Sequence, residues 1–452
     1  MKKLITLPVG DFILSIIALD LAFFLRIGSL QLQEEDSIFN LIAKFLFFGF
    51  VLIFSSFFLE IYNQEKLDRK KDIILKIAIE ILISFFILSS LYYIIPEIML
   101  GRGLLLISLL AFGSFQFLWH VSYRVLKPLR FASNVIILGT GPLAQKIGKA
   151  VNSTNNHYHI AGYINLSNEP VCVPSGSILL DNNELLNTVR NKKAHKIVVS
   201  LSERRGIFPL DELLECKFCG IEVIDAPSFY EEVTGKLLID EITPSWFIFS
   251  EGFRMTPFRR SGKRILDIFI ASIGLMIYLP LLPIIALLIK IDSSGPILFK
   301  QLRVGEGDKS FHLYKFRTMH RDAENGTGAV WAQEDDPRVT RIGKILRITR
   351  LDEMPQFYNV LRGDMSIIGP RPERPEFVTE LKNLIPYYSE RHFVKPGITG
   401  WAQIHYSYGS SVEDAIEKLR YDLYYIKHIS PYLDVMIIIE TIKVMLFGKG
   451  AR

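Results

Sequence analysis

Two adjacent carboxylates, Asp352 and Glu353, stand in a stretch of sequence otherwise rich in arginine. The run Arg347-Ile-Thr-Arg-Leu-Asp-Glu-Met-Pro355 leads into Asn359-Val-Leu-Arg-Gly-Asp-Met-Ser366 and then Gly369-Pro-Arg-Pro372. From Arg338 to Arg374 the cations Arg338, Arg341, Lys344, Arg347, Arg350, Arg362, Arg371 and Arg374 outnumber the acids Asp352, Glu353, Asp364 and Glu373. That excess suits a polyanionic substrate, because the planar guanidinium fork grips phosphate oxygens at two points. The blander reading makes Asp352 a helix cap worth about 1 kcal/mol and the arginines a solvated face. The concentration of arginine and the Gly-Pro-Arg-Pro loop favour phosphoryl transfer.

Local chemistry indicates what must hold these groups. Pro355 lacks an N–H and is tolerated only in a first helical turn, and Gly363 is a natural stop. A helix is therefore predicted from about Asp352 to Arg362, with the carboxylates at its positive end. Arg338, Arg341, Lys344 and Arg347 recur every three residues, which predicts a drifting stripe on one short helix. Lys315 and Arg317 fall on a predicted strand beside a hairpin turn at Gly305-Glu-Gly-Asp308, to bind phosphate or face solvent. Asp364, after the stopping glycine, reads as a cap. Pro396-Gly-Ile-Thr-Gly400 reads as a tight turn with Trp401 at a membrane interface. His312, His320, His392 and His405 have no metal-binding spacing, and residues 320–335 read as a loop over the site.

These motifs resemble the bacterial sugar transferases, monotopic phosphoglycosyl transferases that start exopolysaccharide or O-antigen units on a polyprenyl phosphate. The resemblance runs from about Arg259 to Phe447. It rests on Lys263-Arg-Ile-Leu-Asp267, Tyr314-Lys-Phe-Arg-Thr-Met319, Asp336-Pro-Arg-Val-Thr-Arg-Ile-Gly343, Leu351-Asp-Glu353, Gly363-Asp-Met-Ser366, Gly369-Pro-Arg-Pro372 and Lys395-Pro-Gly-Ile-Thr-Gly-Trp-Ala-Gln403. It implies transfer of hexose-1-phosphate from a UDP-sugar, UDP-glucose first and UDP-galactose next, to undecaprenyl phosphate with release of UMP. It further implies Asp352 as nucleophile, an aspartyl phosphosugar intermediate, and Mg²⁺ on Asp352 and Glu353. Glu353 would otherwise be a base that orients the acceptor. Arg347 and Arg371 would hold phosphate, with Lys315 and Arg317 as further candidates. The family's serine before the helix-breaking Pro280 is Leu279 here. A homodimer is compatible with the sequence, and nucleic acid is not expected as a partner.

With 452 residues, 49% hydrophobic content and only three cysteines, the chain has room for two or three domains and no disulfide framework. Cys216 and Cys219 have redox spacing but fall in an amphipathic helix, so burial is expected. A mean hydropathy of +0.26 requires membrane segments. Four apolar stretches, 12–32, 41–62, 73–95 and 104–123, approach the ~20 residues of a spanning helix. Lys2 and Lys3, Lys66 to Lys71, and Arg124 to Arg130 then fall on one side, which the positive-inside rule makes cytoplasmic. No small-residue cleavage pattern follows the first run, so a cleaved signal peptide is not expected. Asp11, Asp20 and Arg26 on that first run are expected to pack or snorkel. A fifth run, 265–291, carries positive charge at both ends and Pro280 and Pro283 at its middle. It predicts a re-entrant hairpin, since a full crossing would place the arginine-rich region outside. The short run 433–447 predicts an interfacial helix.

Between Ser133 and Ser250, short apolar runs alternate with helical stretches, which predicts a doubly wound parallel sheet. Gly139-Thr-Gly-Pro-Leu-Ala144 matches the dinucleotide fingerprint after a strand, making Gly139 and Gly141 candidate cofactor contacts. The acid that would hold a ribose is missing, with Asn165 and Asn168 in its region, so a degenerate, structural or regulatory domain is expected. Two rivals are weighed. A membrane-anchored nucleotide-sugar dehydratase or epimerase lacks a Tyr-x-x-x-Lys pair downstream of the glycines, since Tyr123 and Lys127 lie upstream. A non-catalytic nucleotide sensor would bind without turnover, yet the carboxylate pair is intact. The expected architecture is membrane α plus α/β: a four-helix transmembrane bundle over 1–130, a Rossmann-like domain over 131–255, and a mixed α/β catalytic domain over 256–452.

Overall fold

The computed structural model describes residues 2–27, 38–59, 61–62, 70–126, 133–154, 158–166, 170–179, 185–201, 208–250, 252–320, 323, 336–406, 409 and 411–447. Asn168, the loop residues 321–322 and 324–335, and the charged flanks at 34–36 and 63–69 lie outside them. The chain forms two compact units. One comprises residues 1–136, 151–162 and 182–196, and the other residues 137–150, 163–181 and 197–452.

In the first unit, α1 (Lys2–Ile27), α2 (Ile38–Phe58), α3 (Lys70–Ile94) and α4 (Arg102–Leu126) are long apolar helices. α1 packs on α2 and α4, and α3 packs on the same two. Leu19, Leu52, Leu88, Leu109 and Phe112 form the core, while Phe50, Phe86 and Leu118 face outward. A helix apolar on both faces belongs in lipid or in a large core. α1 starts earlier than its apolar run suggested and so carries Asp11, which is fully buried, whereas Asp20 and Arg26 are exposed. Among the described residues, five helical segments are long and apolar enough to cross a membrane, the fifth being Pro257–Asp292.

Five strands, β1 (Ser133–Leu138), β2 (Tyr158–Ile164), β3 (Ile178–Leu179), β4 (Ala194–Val199) and β5 (Glu222–Asp225), form a parallel sheet in the order β3-β2-β1-β4-β5. β2 and β3 run parallel with Tyr163 opposite Ile178. The two-residue β3 is too short to leave a sequence signal. Cys216 is buried as expected, and Cys219 is exposed.

The arginine-rich part of the second unit is built on a long apolar helix interrupted by one 3-10 turn. Pro257–Tyr278 runs into a 3-10 turn at Leu279–Leu281 and on into Leu282–Asp292, with most of its apolar surface exposed. β6 (Leu298–Val304) and β7 (Ser310–Phe316) pair antiparallel. The short parallel pair β8 (Ser366–Ile368) and β9 (Gly397–Thr399) sits in a core with Val360, Met365, Leu423 and Ile437.

Three sequence expectations shift. The carboxylates occupy a separate 3-10 turn, Leu351–Glu353, and the α-helix begins only at Gln356. Pro355 cannot donate to the Leu351 carbonyl, so Met354 N–H does so instead and tightens the turn. Arg350, with φ 55°, breaks it from the helix Arg341–Ile348 before it. Gly363 does end the following helix, with φ 94°. Arg338 precedes the helix of the predicted cationic stripe, because Thr340 caps it by accepting from Gly343 N–H. The helix Pro431–Phe447 packs on β8 and β9, and its inner residues Leu433 and Ile437 are core.

Candidate active site

The turn Leu351–Glu353 is seated by its apolar flanks. Leu351 and Met354 pack against Tyr278, Ile285, Ile289, Phe316 and Leu346, so the carboxylates sit beside the 3-10 turn that interrupts the long helix. β7 brings Lys315 in, and its Nζ donates to Glu353 Oε1 at 3.2 Å. Arg371 Nη2 donates to the same oxygen at 2.9 Å. Burial alone would raise Glu353, but the charges of Arg371, Lys315 and Arg350 outweigh it and hold this carboxyl well below the usual range. Asp352 goes the other way. Its burial, added to by Glu353, raises it against the pull of Lys315, Arg371 and Arg347. Burial likewise lowers Lys315, against the attraction of Glu353. Glu353 is thus the fixed counter-charge. Asp352, without a hydrogen bond from any described residue, is the more basic carboxyl of the two.

The loop carrying Arg371 is framed through its carbonyls. Pro370 and Pro372 have no N–H to donate, and the oxygens of all four residues from Pro370 to Glu373 are taken. Gly397 N–H donates to Pro370 O at 2.9 Å and Val304 N–H to Glu373 O at 3.0 Å. Arg391 Nη2 donates to Arg371 O at 3.0 Å, and Arg303 Nη1 to Pro372 O at 3.1 Å. Arg391 is itself buried and anchored by Asp422 Oδ2 at 2.8 Å and Tyr388 Oη at 2.7 Å. Such a frame fixes the guanidinium of Arg371 before any substrate arrives.

The interrupted helix Pro257–Asp292 is tied to the same unit near both ends. Near its start, Asp267 accepts from Ser366 Oγ and Ile367 N–H, each at 2.9 Å, and Arg264 Nη2 donates to Leu361 O at 2.7 Å. Near its end, Asp292 accepts from Ile342 N–H at 2.9 Å.

Of the candidates read from sequence, Asp352, Glu353, Lys315 and Arg371 converge. Arg347 acts on Asp352 through space, while its Nε donates to Thr318 Oγ1 at 3.0 Å. Arg317 turns away. It is buried and donates to Ser293 O at 2.7 Å, bracing the end of the helix Leu282–Asp292. Asp364 pairs locally with Arg362 at 3.3 Å. Trp401 is buried, with Nε1 donating to Gly235 O at 2.9 Å, so it is a core residue and no interface marker. His392 pairs with Asp308 at 2.6 Å, and His405 stacks on Trp401. Asp267, Arg391 and Asp422 escaped the sequence reading. Asp267 and Arg391 stand in or beside runs that carried the resemblance, but their partners are distant in the chain.

The glycine turn after β1 is closed by the chain itself. Cys172 N–H donates to Thr140 O at 2.8 Å, Gln145 Nε2 to Cys172 O at 2.7 Å, and Thr140 Oγ1 to Asn165 Oδ1 at 3.3 Å. A Cβ on Gly139, with φ 119°, would lie 2.8 Å from Ser200 Oγ. Close packing therefore accounts for Gly139 without a nucleotide.

Comparison with known proteins bears on this arrangement. The family model for bacterial sugar transferase matches residues 258–448, which contain the interrupted helix, the acidic turn and the framed loop. The chain is 43% identical over 240 residues to a UDP-N-acetylgalactosamine-undecaprenyl-phosphate N-acetylgalactosaminephosphotransferase of Aeromonas hydrophila, covering 53% of this chain and 56% of that protein. It is 43% identical over 192 residues to a UDP-glucose:undecaprenyl-phosphate glucose-1-phosphate transferase of Xanthomonas campestris pv. campestris, covering 42% of this chain and 40% of that protein. The match thus spans about half the length of these two relatives. An exopolysaccharide production protein PSS of Rhizobium leguminosarum bv. phaseoli is 42% identical over 194 residues, 42% of this chain and 97% of that protein. Since nearly all of one relative and the family's own model fall on the segment that builds the acidic turn, the chain belongs to the bacterial sugar transferase family.

Proposed function

We propose that this chain transfers a hexose-1-phosphate from a UDP-sugar to undecaprenyl phosphate and releases UMP, starting a surface glycan. The observation that carries the reading is the pairing of one restrained carboxylate, Glu353, with one more basic carboxylate, Asp352, inside a frame of phosphate-binding cations. An Asp352 oxygen attacks the phosphorus that bears the sugar, the bond to the bridging oxygen breaks, and UMP leaves with that electron pair. Arg371 and Lys315 neutralise phosphate charge as it builds, and Arg347 is within electrostatic reach. In the second half-reaction an oxygen of the lipid phosphate attacks the same phosphorus and frees Asp352. A covalent carboxylate lets a water-soluble donor and a lipid acceptor react in turn.

Mg²⁺ fits the donor set. It is commonly held by one or two carboxylates plus substrate phosphates, and no group of three or more metal-ligating side chains gathers among the described residues. Asp352 and Glu353 would hold it, and when bound it would supply charge neutralisation on the diphosphate.

The segment Pro257–Asp292 is read as a re-entrant hairpin in the cytoplasmic leaflet of the bacterial inner membrane. Its support is that residues near both ends bond to the same unit, and that the acidic turn packs beside the 3-10 turn that interrupts it. α1 to α4 are read as a four-helix transmembrane bundle, and the parallel sheet as a degenerate Rossmann-like domain between bundle and catalytic domain. The relatives' names divide between UDP-glucose and UDP-N-acetylgalactosamine, which supports reading the donor as a UDP-hexose.

The test is UMP release by the purified chain in nanodiscs with undecaprenyl phosphate, Mg²⁺ and a panel of UDP-sugars. Lipid-dependent release with one donor, abolished by Asp352→Asn and by chelation, is expected. Release with no donor from folded protein would refute the reading.

A further inference from the structure

The first unit contains a second set of buried chemistry that sugar-phosphate transfer does not use. Asp11 on α1, Ser56 on α2, Glu80 on α3, and Gln116 and His120 on α4 are all fully buried. They form one network. Gln116 Nε2 donates to Asp11 Oδ2 at 2.9 Å and to Ser56 Oγ at 3.0 Å, and lies 3.5 Å from Glu80 Oε1. Ser56 Oγ donates to Glu80 Oε1. His120 Nε2 lies 3.1 Å from Asp11 Oδ2.

Charge does not balance within this network. Two ionised carboxylates carry two negative charges, and His120 can offset at most one. No Lys or Arg side chain bonds to Asp11 or Glu80 among the described residues. An uncompensated charge inside an apolar helix cluster is strongly unfavourable even after relaxation. The hydrogen bonding is incomplete as well, and the buried Tyr62 hydroxyl, which faces Asp11 and Ser56, is a donor without a partner among the described residues. Placing Nε2 toward the carboxylates leaves Gln116 Oε1 without a donor, and Glu80 Oε2 also lacks one among the described residues, although both atoms are buried. A buried amide oxygen and a buried carboxylate oxygen, both lacking donors and adjoining a surplus negative charge, are hard ligands suited to a small cation.

We infer that the interior of these four helices binds one small positive charge, an alkali ion or a proton, at the unpaired oxygens of Glu80 and Gln116. Four helices contribute to the network, so occupancy strengthens their packing. The site is independent of the transfer reaction.

Thermal unfolding of the full chain in zwitterionic nanodiscs tests it, in a Na⁺ series at constant ionic strength and pH and in a pH series without Na⁺. The wild type should melt higher either with Na⁺, which identifies an alkali ion, or on acidification without Na⁺, which identifies a proton. Glu80→Gln removes the charge while keeping the shape and should lose that response, and Asp11→Asn serves if Glu80→Gln fails to fold. A wild type indifferent to both series overturns the inference, as does a charge-neutral variant that responds like the wild type.

Discussion

Asp352 with Glu353 and Asp11 with Glu80 are two sets of carboxylates largely withdrawn from solvent, and their neighbours differ in charge. Lys315 and Arg371 bond to Glu353, while Arg347 and Arg350 act on the pair through space. Asp11 and Glu80 have His120, Gln116 and Ser56 as bonded partners. A surplus of fixed cations keeps a carboxylate ionised and draws in an anion, whereas a deficit draws in a cation. The same two side-chain types therefore face opposite ligands, and the residues around them decide which.

Breaking the first pair should give the largest effects. Asp352→Asn is expected to lower turnover on the order of 10⁴-fold or more, as loss of a nucleophile does elsewhere, with an unchanged circular dichroism spectrum. Arg371→Ala removes one of the two cations on Glu353 and should cost about 10²–10³-fold in kcat. Arg391→Gln probes the frame alone. It should cost roughly 10–100-fold, in the range of supporting contacts around other sites, and Arg391→Lys should recover part of it. An equal loss in Arg391→Lys and Arg391→Gln would show that positive charge at this position does not matter.

The pH profile separates the two carboxyls of the catalytic pair. Asp352 must be ionised to attack and is raised by burial, so kcat should fall as pH drops through a value above the ~3.9 of an ordinary aspartate. Glu353, held low, should add no limb in that range. An acid limb at the ordinary aspartate value would mean that burial does not tune the nucleophile. The smallest effect on activity is expected at the glycine turn. Gly139→Ala should cost about 1 kcal/mol or more of stability and leave turnover per folded molecule intact.

The contrast also marks what the sequence could disclose. Asp352, Glu353, Lys315 and Arg371 were legible because each sits in a short run whose composition has a chemical meaning. The start of the following helix was misplaced because one missing N–H, at Pro355, converts the preceding turn to 3-10 geometry. Arg317 and Lys315 lie two residues apart yet serve different ends, because β7 stops at Phe316 and the chain then turns Arg317 toward the end of the helix Leu282–Asp292. Arg391 and Asp422 form a buried pair only through the packing of separate helices. Asp11 meets His120 across 109 residues of sequence. Periodicity along one helix carries no record of a partner on another.

The most direct test of the central claim is whether Asp352 becomes covalently loaded. The purified chain is mixed with its UDP-sugar and Mg²⁺ in the absence of undecaprenyl phosphate, and UMP and the intact protein mass are followed together. A burst of UMP no larger than the amount of protein is expected, together with a mass gain equal to one sugar phosphate on the peptide containing Asp352. Asp352→Asn should show neither. UMP release that strictly requires lipid, with no adduct at any time, would contradict a covalent carboxylate and require direct transfer from donor to lipid.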